Sequence, residues 1–180
     1  MATTPTLLSI DQYLHTSYKP DVHFVDGEIE ERNVGERTHS SIQKFITDLF
    51  TKNEDIWKME AIFELRIRIG SSRVRVCDVT IVSNDAPWEE VVTTPPVACI
   101  EVMSPEDRLS RAEKVLADYF EMGVQNIWLI DPYKRKAYTF TSTGFHEIEP
   151  TILKVPASPI QIDLTDLFAK LDKKTATSRQ

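Results

Sequence analysis

The 180-residue sequence predicts a single α/β domain in which helices flank a mixed β-sheet. Three features carry that prediction: an alternating hairpin pattern over 60–82, two short runs at 97–103 and 126–131 that are apolar on both sides, and amphipathic segments beginning near 39 and 104. A chain of this length buries enough surface for one core, and 41% apolar with 27% charged residues is the balance of a folded protein.

The elements follow in order. Residues 1–20 read as an amino-terminal arm with a short helix within 7–18, because Ser9 and Gln12 have capping-box spacing and Pro20 stops it. A domain over 21–172 opens with a hairpin from His23 to Glu30, whose Asp26-Gly27 turn suits positive φ. Ile42, Phe45, Ile46, Leu49 and Phe50 recur at helical spacing, which predicts a helix over 39–52.

Glu60–Ile69 and Val74–Val82 then alternate around Gly70-Ser71-Ser72, and Val97–Met103 reads as a strand buried on both faces. Ser104 as cap, Pro105 in the first turn and Asp107 three residues on predict a helix start, with Gly123 as its end. Strands at 126–131, 137–141 and 145–148 extend the sheet as a carboxyl-terminal hairpin. A last amphipathic helix covers 163–172, and the polar tail 173–180 should fray.

Composition narrows the function. Met1–Ile10 has no secretory pattern and no stretch could span a bilayer, so a cytoplasmic protein without membrane contact is expected, folding alone or as a homodimer. Cys77 and Cys99 fall inside buried strands, consistent with free thiols in a reducing compartment. Two cysteines without a CxxC and four scattered histidines give no zinc-site spacing. The net charge of −7 opposes bulk coating of nucleic acid. A local basic surface is still open: Arg66, Arg68, Arg73 and Arg75 alternate along the two hairpin strands, either as a solvated face or as contacts to phosphates.

Two acids stand out because each interrupts an apolar strand: Asp78 in Val76–Val82 and Glu101 in Val97–Met103. An ionised carboxylate in low dielectric loses several kcal/mol of solvation and needs a partner, a raised pKa or a metal. Pairing with arginines would satisfy each acid singly. If the strands adjoin, both can instead reach one hard cation, for which oxygen ligands suit Mg²⁺ or Mn²⁺.

The order helix, hairpin with Asp, strand with Glu, helix, strand resembles the PD-(D/E)XK nuclease superfamily, and within it the putative restriction endonuclease family of many bacterial genomes. The likeness covers roughly residues 10–165. It is carried by Asp26-Gly27-Glu28, Gly35-Glu36-Arg37-Thr38-His39-Ser40, Cys77-Asp78-Val79, Ile100 through Glu101 to Arg108, and Tyr119 through Gly123-Val124 to Trp128-Leu129-Ile130-Asp131-Pro132. The last two blocks are the specific ones. The resemblance implies a restriction endonuclease-like core, with Asp78 and Glu101 as the metal-binding acids.

It also exposes a departure. The superfamily's lysine falls two residues after the glutamate, where this chain has Met103. The family's substitute, a basic residue four before the tyrosine, falls on Val115. Lys114 is adjacent but rotated by about 100° around the helix. Arg111 lies one turn earlier on the same stripe and brings charge without proton transfer. Both could equally be solvated. In the first helix, His39 and Gln43 fall on or beside the core face, and this fold can draw an acid, glutamine or histidine from there. His39 either orients water or phosphate or is hydrogen-bonded near the helix start. Glu36 suits the positive helix amino terminus.

The resulting expectation is a Mg²⁺-dependent endonuclease acting on DNA. The alternatives are a nuclease-like fold retained as a nucleic-acid or protein-binding module, which Met103 and Val115 favour, and a metal-free hydrolase using the two carboxylates as acid and base.

Overall fold

The computed structural model describes residues 7–33 and 36–177. Residues 1–6 of the expected arm, Gly35 of the Gly35–Ser40 block and residues 178–180 of the expected tail lie outside the described residues. In chain order the elements are α1 (Ile10–Leu14), β1 (His23–Val25), β2 (Glu28–Glu30), α2 (Arg37–Trp57), β3 (Met59–Ile69), β4 (Arg73–Ser83) and β5 (Ala98–Val102). There follow α3 (Leu109–Met122), β6 (Asn126–Asp131), β7 (Lys136–Thr141), β8 (Gly144–Glu147), β9 (Ile152–Lys154), β10 (Gln161–Asp163) and α4 (Leu164–Thr177).

The main sheet runs β2-β1-β4-β5-β6-β7-β8, with β3 also paired to β4. It is mixed: β5 and β6 are parallel, joined by α3 as a crossover helix, and the other pairs are antiparallel. The runs that read as buried on both faces behave so. Ala98, Ile100, Val102, Trp128 and Ile130 pack with α2 and α4, whereas Cys99, Ile127 and Leu129 pack with Val115, Leu116 and Tyr119 of α3. Helices on both faces bury each side of the strands, so no polar alternation is needed there.

One detail of pairing positions everything below. β3 occupies one edge of β4 along its whole length, from Ile69↔Arg73 to Met59↔Ser83. The opposite edge is divided: β1 takes Arg73 and Val74, and β5 takes Val79, Thr80 and Ile81. Residues 75–78 therefore lie where β1 and β5 part.

The amino-terminal segment is packed down. The Ser9–Gln12 capping box forms at 3.1 and 2.9 Å, and Tyr13 is fully buried with its hydroxyl donating to the Val22 carbonyl at 2.6 Å. The Asp26-Gly27 turn has φ of 50° and 93°, the positive values that its residues anticipate.

Several features differ from expectation, among them α2, which runs past 52 to Trp57. The helix expected at Ser104 begins at Leu109, because the Ser104 amide and hydroxyl both donate to Asp107 Oδ2 at 2.7 Å and close a separate turn. The last helix does not fray at 173 but continues to 177: with Leu167, Phe168 and Leu171 anchored in the core, each further residue propagates a formed helix rather than nucleating one. The sequence reading also missed the two-stranded sheet of β9 and β10, which sends Leu153 and Ile162 into the α2/α4 core. Among the described residues, no helix is long and apolar enough to cross a membrane.

Leu153 is fully buried in that small sheet. Leu153→Ala should cost about 2–5 kcal/mol, measured as a lower urea midpoint. A midpoint within error of the parent would show that β9 and β10 contribute nothing to the core.

Candidate active site

Asp78 lies at the parting of β1 and β5, buried to 4% exposure. Oδ1 accepts from Arg32 Nη2 at 2.7 Å, while Oδ2 meets His39 Nε2 at 3.0 Å and accepts from the Val102 amide at 2.8 Å. The Val102 amide is available because the β4–β5 ladder ends at Val79↔Ile100, freeing the next part of the β5 edge. His39 and Gln43, one turn apart on α2, face the same place; Gln43 donates to the Asp78 carbonyl at 3.0 Å.

Carrying the β4–β5 register one residue further sets Glu101 opposite Asp78. Its Oε1 accepts from the Tyr119 hydroxyl of α3 at 2.6 Å, and among the described residues it forms no ion pair. The two acids line one cavity of about 70 Å³ with Arg32, His39, Arg111 and Val115. That is room for several waters or a partly hydrated ion.

The electrostatics of the two acids diverge. Burial pushes the Asp78 carboxyl up, but the hydrogen bond and charge of His39, the Arg32 guanidinium and the Val102 amide outweigh it and hold Asp78 at about 2. Burial also pushes Glu101 up, and there the charge of Asp78 adds to it, so its acid is raised well above the usual carboxylate range despite the Tyr119 bond. His39 is raised because its bond to Asp78 and that carboxylate's charge outweigh burial. Arg32 also lies 3.7 Å from Glu64, which is held at φ 54° on β3, across from Asp78. That left-handed conformation costs a non-glycine residue about 1–2 kcal/mol.

A hard divalent cation fits this donor set. Asp78 and Glu101 offer oxygens to one cavity, and a cation would relieve the repulsion that raises Glu101. Among the described residues no group of three or more His, Cys, Asp or Glu is disposed to hold a metal, so such an ion would complete its shell with water and substrate.

The other sequence candidates separate. Arg111 is exposed, lines the cavity rim and donates to the Glu31 carbonyl, whereas Lys114 faces a neighbouring hollow with Glu30 and Ser110. Val115, where a basic residue was sought, does face the cavity. Glu36 caps α2 without a side-chain bond and meets the Tyr133 hydroxyl at 3.4 Å, away from the cavity lining. The four hairpin arginines do not form one patch, because the register turns Arg66 and Arg68 to the face opposite Arg73 and Arg75. Arg66 pairs with Asp21 at 2.7 Å, Arg73 with Asp118 and Glu121, and the buried Arg75 with Asp118 at 2.6 Å and Glu30 at 2.7 Å. Arg68 alone has no carboxylate partner among the described residues; it donates to the Gly70 carbonyl at 3.3 Å.

Sequence reasoning passed over Arg32, Tyr119's bond to Glu101, and His23. The first is one arginine in a polar loop and carries no periodic signal. Tyr119 entered only as a landmark of the family-like block, without a bond to Glu101. His23 is buried, with Nδ1 accepting from the Val76 amide at 3.1 Å on the stretch of β4 that β1 and β5 leave open.

The mixed sheet, its crossover helix and the Asp and Glu on adjoining strands define a nuclease-like domain of the restriction endonuclease type. The chain belongs to the family described as Putative restriction endonuclease (Uma2), whose model matches residues 10–169. In fold it is similar to the crystal structure of a putative nuclease of the DUF820 group from Anabaena variabilis, with a TM-score of 0.76 and 20% identity over 90% of this chain and 98% of that one. No curated protein matches.

Burial and the charges of Arg75 and Arg32 push His23 well below its ordinary 6.5, against a weaker opposing pull from Asp78. Its folded form is therefore neutral while the unfolded form takes a proton below about 6.5. The stability it contributes is complete above that pH and is lost as pH falls below it, by up to about 1.4 kcal/mol per pH unit. His23→Asn, whose Oδ1 can accept from Val76, should lose this component, so the gap between the two stability profiles narrows from pH 7.5 to 5. Parallel profiles would refute a neutral His23.

Proposed function

We propose that this protein is a phosphodiesterase that hydrolyses DNA with Mg²⁺ or Mn²⁺ held by Asp78 and Glu101. The observation that carries it is the meeting of a buried and a half-buried carboxylate from adjoining strands in one small cavity, one of them without an ion pair among the described residues. When bound, such an ion lowers the pKa of a coordinated water and polarises a phosphoryl oxygen.

The chain's own residues set the conditions. Arg32, His39 and the Val102 amide keep Asp78 ionised at any working pH. Tyr119 fixes Glu101 by donating to Oε1, leaving the other oxygen to face the cavity's contents. Val115 and Met103 make an apolar wall that thins the water around the acids and strengthens charge interactions there. Arg111 at the rim is exposed and placed to meet a phosphate oxygen. Approach of DNA would depend on such local charges, since the net charge of −7 repels it at long range.

A second reading, a nuclease fold kept as a nucleic-acid or protein-binding module, is favoured by Met103 and Val115 in the cavity lining and by the protein donors that both oxygens of Asp78 already have.

Nicking of supercoiled plasmid with Mg²⁺ or Mn²⁺ tests the proposal. Asp78→Asn should remain folded and lose cleavage by about 10³-fold, equivalent to the several kcal/mol that Lewis-acid catalysis supplies. Chelator should abolish the parent's activity. Cleavage by Asp78→Asn at the parent's rate, or cleavage surviving chelation, rejects metal hydrolysis, and the latter favours acid–base chemistry by the two carboxylates. DNA binding without cleavage in any metal favours the module.

A further inference from the structure

We propose that Arg32 is a built-in counter-cation of the acidic cavity, competing with a divalent metal for Asp78 until a bound phosphodiester draws the guanidinium away. The inference rests on the metal-binding reading above and adds how that site is regulated.

Three carboxylates surround this one guanidinium. Nη2 donates to Asp78 Oδ1 at 2.7 Å, Nη1 lies 3.7 Å from Glu64, and Glu101 shares the same cavity. The Arg32 side chain is only 11% exposed, so it is held within the acidic cluster and not waving over it. A hard cation approaching Oδ1 meets the guanidinium already bonded there, and the two positive charges repel within the buried cavity, while the remaining oxygen of Asp78 holds His39 and the Val102 amide.

The residues on both sides of Arg32 are tied to α3 and the turn before it. The Glu31 backbone carbonyl accepts from Arg111, and the Asn33 side-chain Nδ2 donates to Asp107 and, at 3.2 Å, to Ser104 Oγ. Exchange is therefore a side-chain rotation about an anchored loop. A guanidinium displaced from a carboxylate pairs equally well with the planar pair of oxygens on a phosphodiester. Metal and DNA then bind with positive coupling, each strengthening the other by the same factor.

The test is Mn²⁺ titration calorimetry on the full chain, parent against Arg32→Gln, with and without a short DNA duplex and with the DNA-only titration subtracted. Without DNA, Arg32→Gln should bind Mn²⁺ at least about tenfold more tightly, and the gain in Mn²⁺ affinity that DNA gives the parent should disappear. Arg32→Lys, which keeps a charge but not the fork, should fall between them. Since loss of Arg32 leaves buried carboxylates short of positive charge, thermal unfolding is a second readout: Mn²⁺ should raise the melting temperature of Arg32→Gln more than that of the parent.

If the parent binds Mn²⁺ and Arg32→Gln binds no better, the counter-cation role falls and the metal reading stands. If neither binds, both fall. Uptake by Arg32→Gln alone supports the competition and overturns metal use by the parent.

Discussion

A strand has two hydrogen-bonding edges, and β4 has three partners. β3 takes one edge entire, so β1 and β5 must divide the other, and the place where they separate is where a carboxylate, a histidine and a loop arginine enter. Backbone groups exposed by that separation do not go unpaired. The Val102 amide turns to Asp78 and the Val76 amide to His23, so the gap is lined by side chains that the ladder itself recruits. The α2 helix completes the lining because its apolar stripe docks on Val79 and Ile81, which brings His39 and Gln43 down beside Asp78.

Within this gap two neighbouring carboxylates acquire opposite character. Asp78 is given four donors, counting the one to its carbonyl, and is held as the anion; Glu101 is given one phenolic hydroxyl and faces the charge of Asp78. Neighbouring acids pushed apart in this way are a frequent arrangement where chemistry is done, because one fixed charge and one labile one can be used together. A cation of either kind, a guanidinium or a metal ion, is what this arrangement lacks most on the Glu101 side.

How much of this could be read from the sequence depended on range. Strands apolar on both sides, the Asp-Gly turn and the helix stop at Gly123 are local properties, and each appears where its residues place it. Asp78 and Glu101 were legible for a different reason: a charge inside an apolar run conflicts with its surroundings and so marks itself. The arginines failed the same approach. Their alternation suggested a shared surface, yet the acids that engage them are distant in sequence, with Asp118 on α3 reaching Arg73 and Arg75. Ser104 and Asp107 carried a true capping signal, but the two side chains satisfied one another in a turn, and the helix began one turn later. Arg32 had no pattern to betray it, because its partner lies 46 residues away.

The absent lysine is best understood through these positions together. Met103 and Val115, the two places where the superfamily and family patterns put a basic group, are both buried in the core on the α3 side, next to Leu116 and Tyr119. Both also line the cavity, so a lysine at either would bring its ammonium beside the acids. Here the packing is apolar, and positive charge enters from the opposite side, on the loop between β2 and α2. The exchange is not neutral in chemistry. An ammonium can both stabilise charge and pass a proton, whereas a guanidinium does only the first. On the nuclease reading, proton handling therefore passes to another group, and His39 is the one in contact with Asp78 whose Nδ1 is buried without a partner among the described residues. Charge stabilisation and proton transfer, joined in one residue by the usual pattern, are then divided between the loop and α2.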